Sequence, residues 1–147
     1  MRIATFLCSA CTLVDMAATD KDQVLHTLAE AAQQAHLDKN AVYAALLARE
    51  RLGTTAVGNG YAIPHGKISG LEKMVLTFAR SVHGVEFSAP DGAPCHFFFT
   101  VIAPEGNAVQ HLGLLGGIAR LAKDAAFTNR LMQSKTLEEI QSFLTSV

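Results

Sequence analysis

Neither sign of charge dominates this chain: Lys plus Arg number 12 against 13 for Asp plus Glu, a formal net charge of -1. Binding to nucleic-acid phosphates calls for a basic face, so nucleic acid is disfavoured as a partner. No apolar run comes near the ~20 residues that cross a bilayer, and membrane insertion is not expected. Cysteine is scarce, with 3 in 147 residues: Cys8, Cys11 and Cys95. The first two form a C-x-x-C, the spacing of a redox pair or of half a zinc site. No second ligand pair follows at zinc spacing, and they read as buried or incidental thiols of a reducing compartment. Nucleotide motifs are missing as well. Gly60-Tyr-Ala-Ile-Pro-His-Gly-Lys67 approaches a P-loop, but five residues separate its first glycine from Gly-Lys where four are required, and Ile68 stands where a magnesium ligand belongs. Gly58-Asn-Gly60 lacks the third glycine of a dinucleotide loop. There is no G-x-S-x-G elbow, no H-E-x-x-H, and no evident pair of acids for glycoside hydrolysis. Neither a cofactor nor a metal is implied.

What is present is a globular composition. Hydrophobic residues make up 50% and charged residues 17%, which argues against disorder, and the length suits one domain covering residues 1–147. The opening Met1-Arg-Ile-Ala-Thr-Phe-Leu-Cys-Ser-Ala-Cys-Thr-Leu-Val14 resembles an export signal. Its single arginine, its polar interruptions and Cys8 at an aliphatic position point instead to a strand or loop packed on the domain. The expected compartment is the cytoplasm.

Helical spacing appears first. Thr19 is read as the N-cap of a helix whose stripe is Val24, Leu25, Leu28, Ala32 and Ala35. Asp38 caps a second, with Val42, Ala45, Leu46 and Leu47 facing inward and Gly53 as its stop. Met74–Arg80 alternates like a strand, Val82-His-Gly-Val85 is read as turning it, and Glu86-Phe-Ser88 as a short extended piece. Pro90-Asp-Gly92 marks a turn. Cys95–Ala103 is nearly continuous apolar, as a strand covered on both faces would be. Asn107 with Gln110 predicts a helix from about Ala108, with Leu112, Leu115, Ile118, Ala119 and Ala122 inward. Gly113, Gly116 and Gly117 inside it imply either close approach of another backbone or fraying. Asp124 and Thr136 cap two last helices, one carrying Phe127 and Leu131, the other Leu137, Ile140 and Leu144. The order predicts a single three-layer α/β domain, a mixed sheet flanked by helices.

One histidine stands out. In Pro64-His65-Gly66 the proline biases Ile63 to extended backbone, and the glycine admits positive φ or a close neighbour. His65 is expected in a loop beside the sheet, and His111 at the start of the helix leaving the central strand. With nucleotide, metal and hydrolase chemistry set aside, the imidazole as nucleophile remains. A neutral ring nitrogen can take a phosphoryl group if the other nitrogen is oriented by a hydrogen bond and donors meet the oxygens. Arg49 offers a bidentate grip, and His111 a donor near a helix N-terminus. A loop histidine that is merely exposed is the plain alternative.

Arg49-Glu-Arg-Leu-Gly-Thr54, Gly58-Asn-Gly60, Ala62-Ile-Pro-His-Gly-Lys67, Pro90-Asp-Gly-Ala-Pro94, Ala103-Pro-Glu105 and His111-Leu-x-Leu-Leu115, in that order, resemble the fructose/mannitol-type IIA domains of the bacterial phosphoenolpyruvate:sugar phosphotransferase system. Within that family the chain looks closest to the stand-alone nitrogen-regulatory IIA proteins. The resemblance spans roughly residues 19–147; residues 1–18 match it poorly, and the three glycines stand where such proteins usually carry larger residues. It implies that His65 accepts a phosphoryl group from an HPr-like carrier, that Arg49 and His111 stabilise the product, and that a mixed sheet lies between helices. Downstream it leaves open a regulatory target such as a transporter or sensor kinase, a IIB domain, or a binding module switched by phosphorylation. His26, His36, His83 and His96 match no motif and are read as surface or packing residues.

Overall fold

A computed structural model of the chain describes residues 2–147. Its centre is the apolar run, β5 (Cys95–Pro104), which pairs on one side with β4 (Val75–Val85), antiparallel. On the other side it takes two short strands end to end, both parallel: β2 (Tyr61–Ala62) along Phe97 and Phe98, and β3 (His65–Ile68) along Val101 to Pro104. The outer strand β1 (Ala56–Gly58) forms a hairpin with β2. Asn59 and Gly60 both have positive φ, 58° and 82°, the demand of a two-residue hairpin turn. Asp91, from the Pro90–Gly92 turn, accepts from the Asn59 amide and holds this hairpin in place.

Two helical layers cover the sheet. α1 (Lys21–Ala31) and α2 (Lys39–Glu50) bury Val24, Leu25, Leu28, Val42 and Leu46 against Phe98 and Ile102. On the opposite face, α3 (Ala108–Leu121), α4 (Ala125–Gln133) and α5 (Leu137–Thr145) bury Leu114, Ile118, Phe127, Leu131, Ile140 and Leu144 against Phe97, Phe99 and Val101. Successive residues of β5 thus feed alternate cores. A continuous apolar strand follows from burial on both faces, at about 1.5–3 kcal/mol for each large side chain.

The opening segment packs on the outer edge of β4 through isolated parallel bridges, Leu7 to Leu76 and Leu13 to Ala79, with 3-10 turns at Ile3–Thr5 and Ser9–Cys11. Arg80 anchors it. This buried cation donates to the carbonyls of Val14, Leu131 and Ser134, joining the segment to the negative end of α4.

Several local expectations need correction. Asp20, not Thr19, caps α1, accepting from the Gln23 amide; Thr19 instead meets the Gln23 side chain. The reading of Val82–Val85 as a turn fails: β4 runs through it with a register shift between Arg80 and Val85, near Gly84 at φ 84°. Glu86–Ser88 is not a strand; the Glu86 carboxylate accepts from the Ser88 amide, and Ser88 itself has φ 58°. In α3 the inward residues are His111, Leu114 and Ile118, whereas Leu112 is 69% exposed. The helix is continuous through its glycines. A Cβ on Gly116 or Gly117 would meet only the Arg120 guanidinium, at 3.6 and 3.9 Å, so neither close backbone approach nor fraying accounts for those two.

Candidate functional site

Beside β3, at the edge of the sheet and between α2 and α3, lies a cavity of about 580 Å³. Arg49, His65 and His111, the three residues singled out from the sequence, all line it. They come from three elements. Arg49 is in the last turn of α2, His65 opens β3, and His111 is in the first turn of α3 just after β5. His65 is therefore in a strand rather than a loop, paired to Val101 in register.

The local sequence explains how the imidazole is held. Pro64 has no N–H to give, but its carbonyl accepts from the Val101 amide, which keeps the chain against β5 on both sides of the break between β2 and β3. The Ile63 carbonyl is left to accept from the ring of His65, at 2.7 Å from Nδ1. A carbonyl only accepts, so Nδ1 carries the proton and Nε2 keeps its lone pair. Gly66 points the other way, into α2. A Cβ there would stand 2.9 Å from Ala45 Cβ and 3.0 Å from the Ala45 backbone, so the glycine serves close approach and not positive φ. Lys67 returns to the side of His65, exposed on the cavity rim.

Burial pushes the His65 imidazole below its ordinary pKa, and the Arg49 cation pushes the same way, against the opposing hydrogen bond to Ile63. His111 is lowered too, first by burial and then by His65 and Lys67. Both rings are thus biased to the neutral form. The Nε2 of His111 is buried and has no hydrogen-bond partner among the described residues. A lone buried polar atom of this kind costs about 1–3 kcal/mol until something meets it.

Arg49 is held by its own helix end: Nη1 donates to the Gly53 carbonyl at 2.9 Å, leaving further N–H groups on the guanidinium fork. The next residue fixes that end. Buried Glu50 accepts from Lys21 and from both the amide and hydroxyl of Thr55, tying α2 to the chain entering β1.

An apolar collar surrounds these polar groups. Leu52 and Leu112 line the cavity, exposed by 84% and 69%, and Val109, one turn of helix before Leu112, is 85% exposed. Sequence reasoning passed over Lys67 and this collar. The signal for Lys67 was its place two residues after His65 on a strand. For the collar it was a second apolar stripe on α3, Val109 and Leu112, of which the sequence assigns Leu112 to the core and leaves Val109 unassigned. Among the described residues no three of His, Cys, Asp and Glu gather as a metal cluster, and no helix is long and apolar enough to cross a membrane.

A mixed sheet between helical layers is the fold of the IIA proteins, and in this chain Arg49, His65 and His111 gather around one open cavity at its edge. The family described as phosphoenolpyruvate-dependent sugar phosphotransferase system, EIIA 2, matches residues 5–147, and the chain belongs to that family. It is 40% identical over 145 residues to a nitrogen regulatory protein of Bradyrhizobium diazoefficiens, covering 98% of this chain and 95% of that one. It is 33% identical over 110 residues to a fructose-specific EIIA component of Haloferax volcanii, covering 75% and 71%. Among solved structures it superposes on the nitrogen regulatory protein IIA-Ntr of Neisseria meningitidis with a TM-score of 0.88 and 30% identity, covering 97% of this chain and 98% of that one. The match begins at residue 5, ahead of the motifs read from the sequence.

Proposed function

We propose that residues 1–147 act as one phosphohistidine carrier domain in the cytoplasm, with His65 as the phosphoryl acceptor. The observation that carries this reading is the hydrogen bond from His65 Nδ1 to the Ile63 carbonyl. It sets the tautomer in which Nε2 is the nucleophile. The lone pair of Nε2 attacks the phosphorus of a donor phosphohistidine, and the donor P–N bond breaks as its imidazole leaves with the electron pair. No general base takes part, because Nε2 carries no proton. His111 and Arg49 receive the phosphoryl oxygens, the first through its unpartnered Nε2 as donor, the second through the free arm of its guanidinium. In this role the protein is a phosphotransferase that turns over stoichiometrically.

The donor is an HPr-like protein. An apolar collar around a polar centre suits a protein partner, since buried interface centres are depleted in charge and a polar residue at the middle supplies the chemistry. Likeness over nearly the whole chain to a nitrogen regulatory protein supports a role in nitrogen or metabolic regulation, with a transporter or sensor kinase as the controlled target. Likeness to a fructose-specific component keeps a second reading, transfer onward to a IIB domain.

The test is incubation with the upstream carriers and labelled phosphoenolpyruvate. Label on wild type that is absent from His65→Ala is the expected result, and a labelled His65→Ala would refute the site. Adding a IIB domain separates the readings: passage of label to it favours the sugar pathway, and retention on this chain favours regulation.

A further inference from the structure

At the opposite edge of the sheet from the histidine cavity, the Ser9–Cys11 turn brings two thiols together. The Cys11 amide donates to the Cys8 carbonyl, and in a 3-10 turn residues three apart stand one above the other. The sulfurs are 2.6 Å apart, within about 0.6 Å of a disulfide bond length. Their surroundings are fixed on several sides. The Cys8 amide donates to Leu76 of β4, Leu13 to Phe78, and Gln141 of α5 to the Ser9 carbonyl. Cys11 is buried, while Cys8 is half-buried and so open to a reagent. Burial and the neighbouring Cys8 sulfur push the Cys11 thiol well above its ordinary pKa, which leaves Cys8 as the sulfur that reacts first. Zinc does not explain the pair, because no third ligand joins it among the described residues.

We propose that Cys8 and Cys11 form a reversible disulfide by exchange with a glutathione-class disulfide, so that the turn is a redox site separate from the histidine cavity. The Cys8 thiolate attacks the glutathione disulfide, its S–S bond breaks, and one glutathione leaves as thiol. The mixed disulfide then places its Cys8 sulfur against Cys11. Cys11 gives its proton to solvent and attacks that sulfur, and the second glutathione leaves. Two electrons pass from the cysteine pair to the glutathione pair, and two glutathione thiols are released. Cys95 takes no part. It is buried at the start of β5 with its sulfur near the Tyr61 carbonyl.

The experiment equilibrates the full chain in glutathione buffers from fully reducing to fully oxidising, quenches in acid, unfolds, alkylates free thiols and reads the intact mass. The expected change is from three alkylated cysteines to one, reversed by dithiothreitol, with peptide mapping placing the link between Cys8 and Cys11. Cys11→Ser should instead accumulate a single glutathione adduct on Cys8. Three alkylated cysteines across the whole series would overturn the proposal, as would a link that includes Cys95 or a second chain. The wild-type protein carries the main readout, so the result does not depend on a variant folding.

Discussion

The ring of His111 stands edge-on to that of His65, with centroids 5.4 Å apart and planes at 80°. Its Nε2 is buried without a partner, which fits a donor waiting for an oxygen that arrives only with the phosphoryl group. A hydrogen bond to a charged group contributes about 1.5–3 kcal/mol. His111→Ala is therefore expected to slow phosphorylation of His65 by about 10- to 100-fold. His111→Gln, which can place an N–H near the same point, should recover part of the loss. Rapid-quench labelling measures both. Equal losses in the two variants would mean that the ring packs rather than donates.

The two imidazoles also make stability depend on pH in a definite direction. Both have folded pKa values below the ordinary one, chiefly through burial, so the unfolded chain binds the protons more readily. In the window below the unfolded value of about 6.5, stability must rise with pH. Urea midpoints are expected to be level above neutrality and to fall as pH drops below about 6.5, until the folded pKa values are passed. The His65→Ala, His111→Ala double variant should show a shallower fall. A wild-type midpoint that rises on acidification across that window would contradict the assignment of neutral rings.

Much of this arrangement was legible before the fold. Cap residues placed α2 and α4, whose periods admit one buried face only, and the unbroken apolar run placed β5, which is buried on both faces. On α3 periodicity could not choose: Val109, Leu112, Leu114, Leu115 and Ile118 leave little of the helix polar. The core took Leu114 and left Leu112 beside the site. The strand through Val82–Val85 was lost because Gly84 reads as a turn residue, although here it lets the chain pass His96, whose ring a Cβ would meet at 2.9 Å. Most hidden was the tautomer of His65. It rests on one carbonyl two residues away, and no pattern of residue types reports where a carbonyl points.

Gly116 and Gly117 sit inside a regular helix with room for a Cβ beside a movable guanidinium. Replacing each with alanine removes a helix penalty of roughly 0.5–1 kcal/mol. The double variant should melt about 2–8 °C higher, given about 2–4 °C per kcal/mol at a chain length near this one. Phosphorylation of His65 should be unchanged, since neither residue lines the cavity. Differential scanning calorimetry with a labelling assay tests both halves. A fall in melting temperature would mean that α3 needs those glycines for a contact not seen between Gly116, Gly117 and their neighbours.

Gly66 and Ala45 form the contact on which the site's placement depends most directly. Any side chain at 66 must push β3 away from α2, because an added Cβ would be 2.9 Å from Ala45 Cβ and 3.0 Å from both its carbonyl carbon and oxygen. Overpacking of this kind costs about 1–3 kcal/mol. The displacement falls on the residue next to His65, in the strand that holds the ring, and against the helix that ends in Arg49. Gly66→Ala is expected to lower the urea midpoint and to slow phosphorylation together. Ala45→Gly tests the cause, since it removes the Cβ but leaves the two backbone atoms in place. The Gly66→Ala, Ala45→Gly double variant should regain only a minor part of the stability. Full rescue would show that the clash is between side chains and that the backbone approach of α2 to β3 has slack. Persistent loss, with phosphorylation falling in step, would show that the helix backbone itself sets the position of His65.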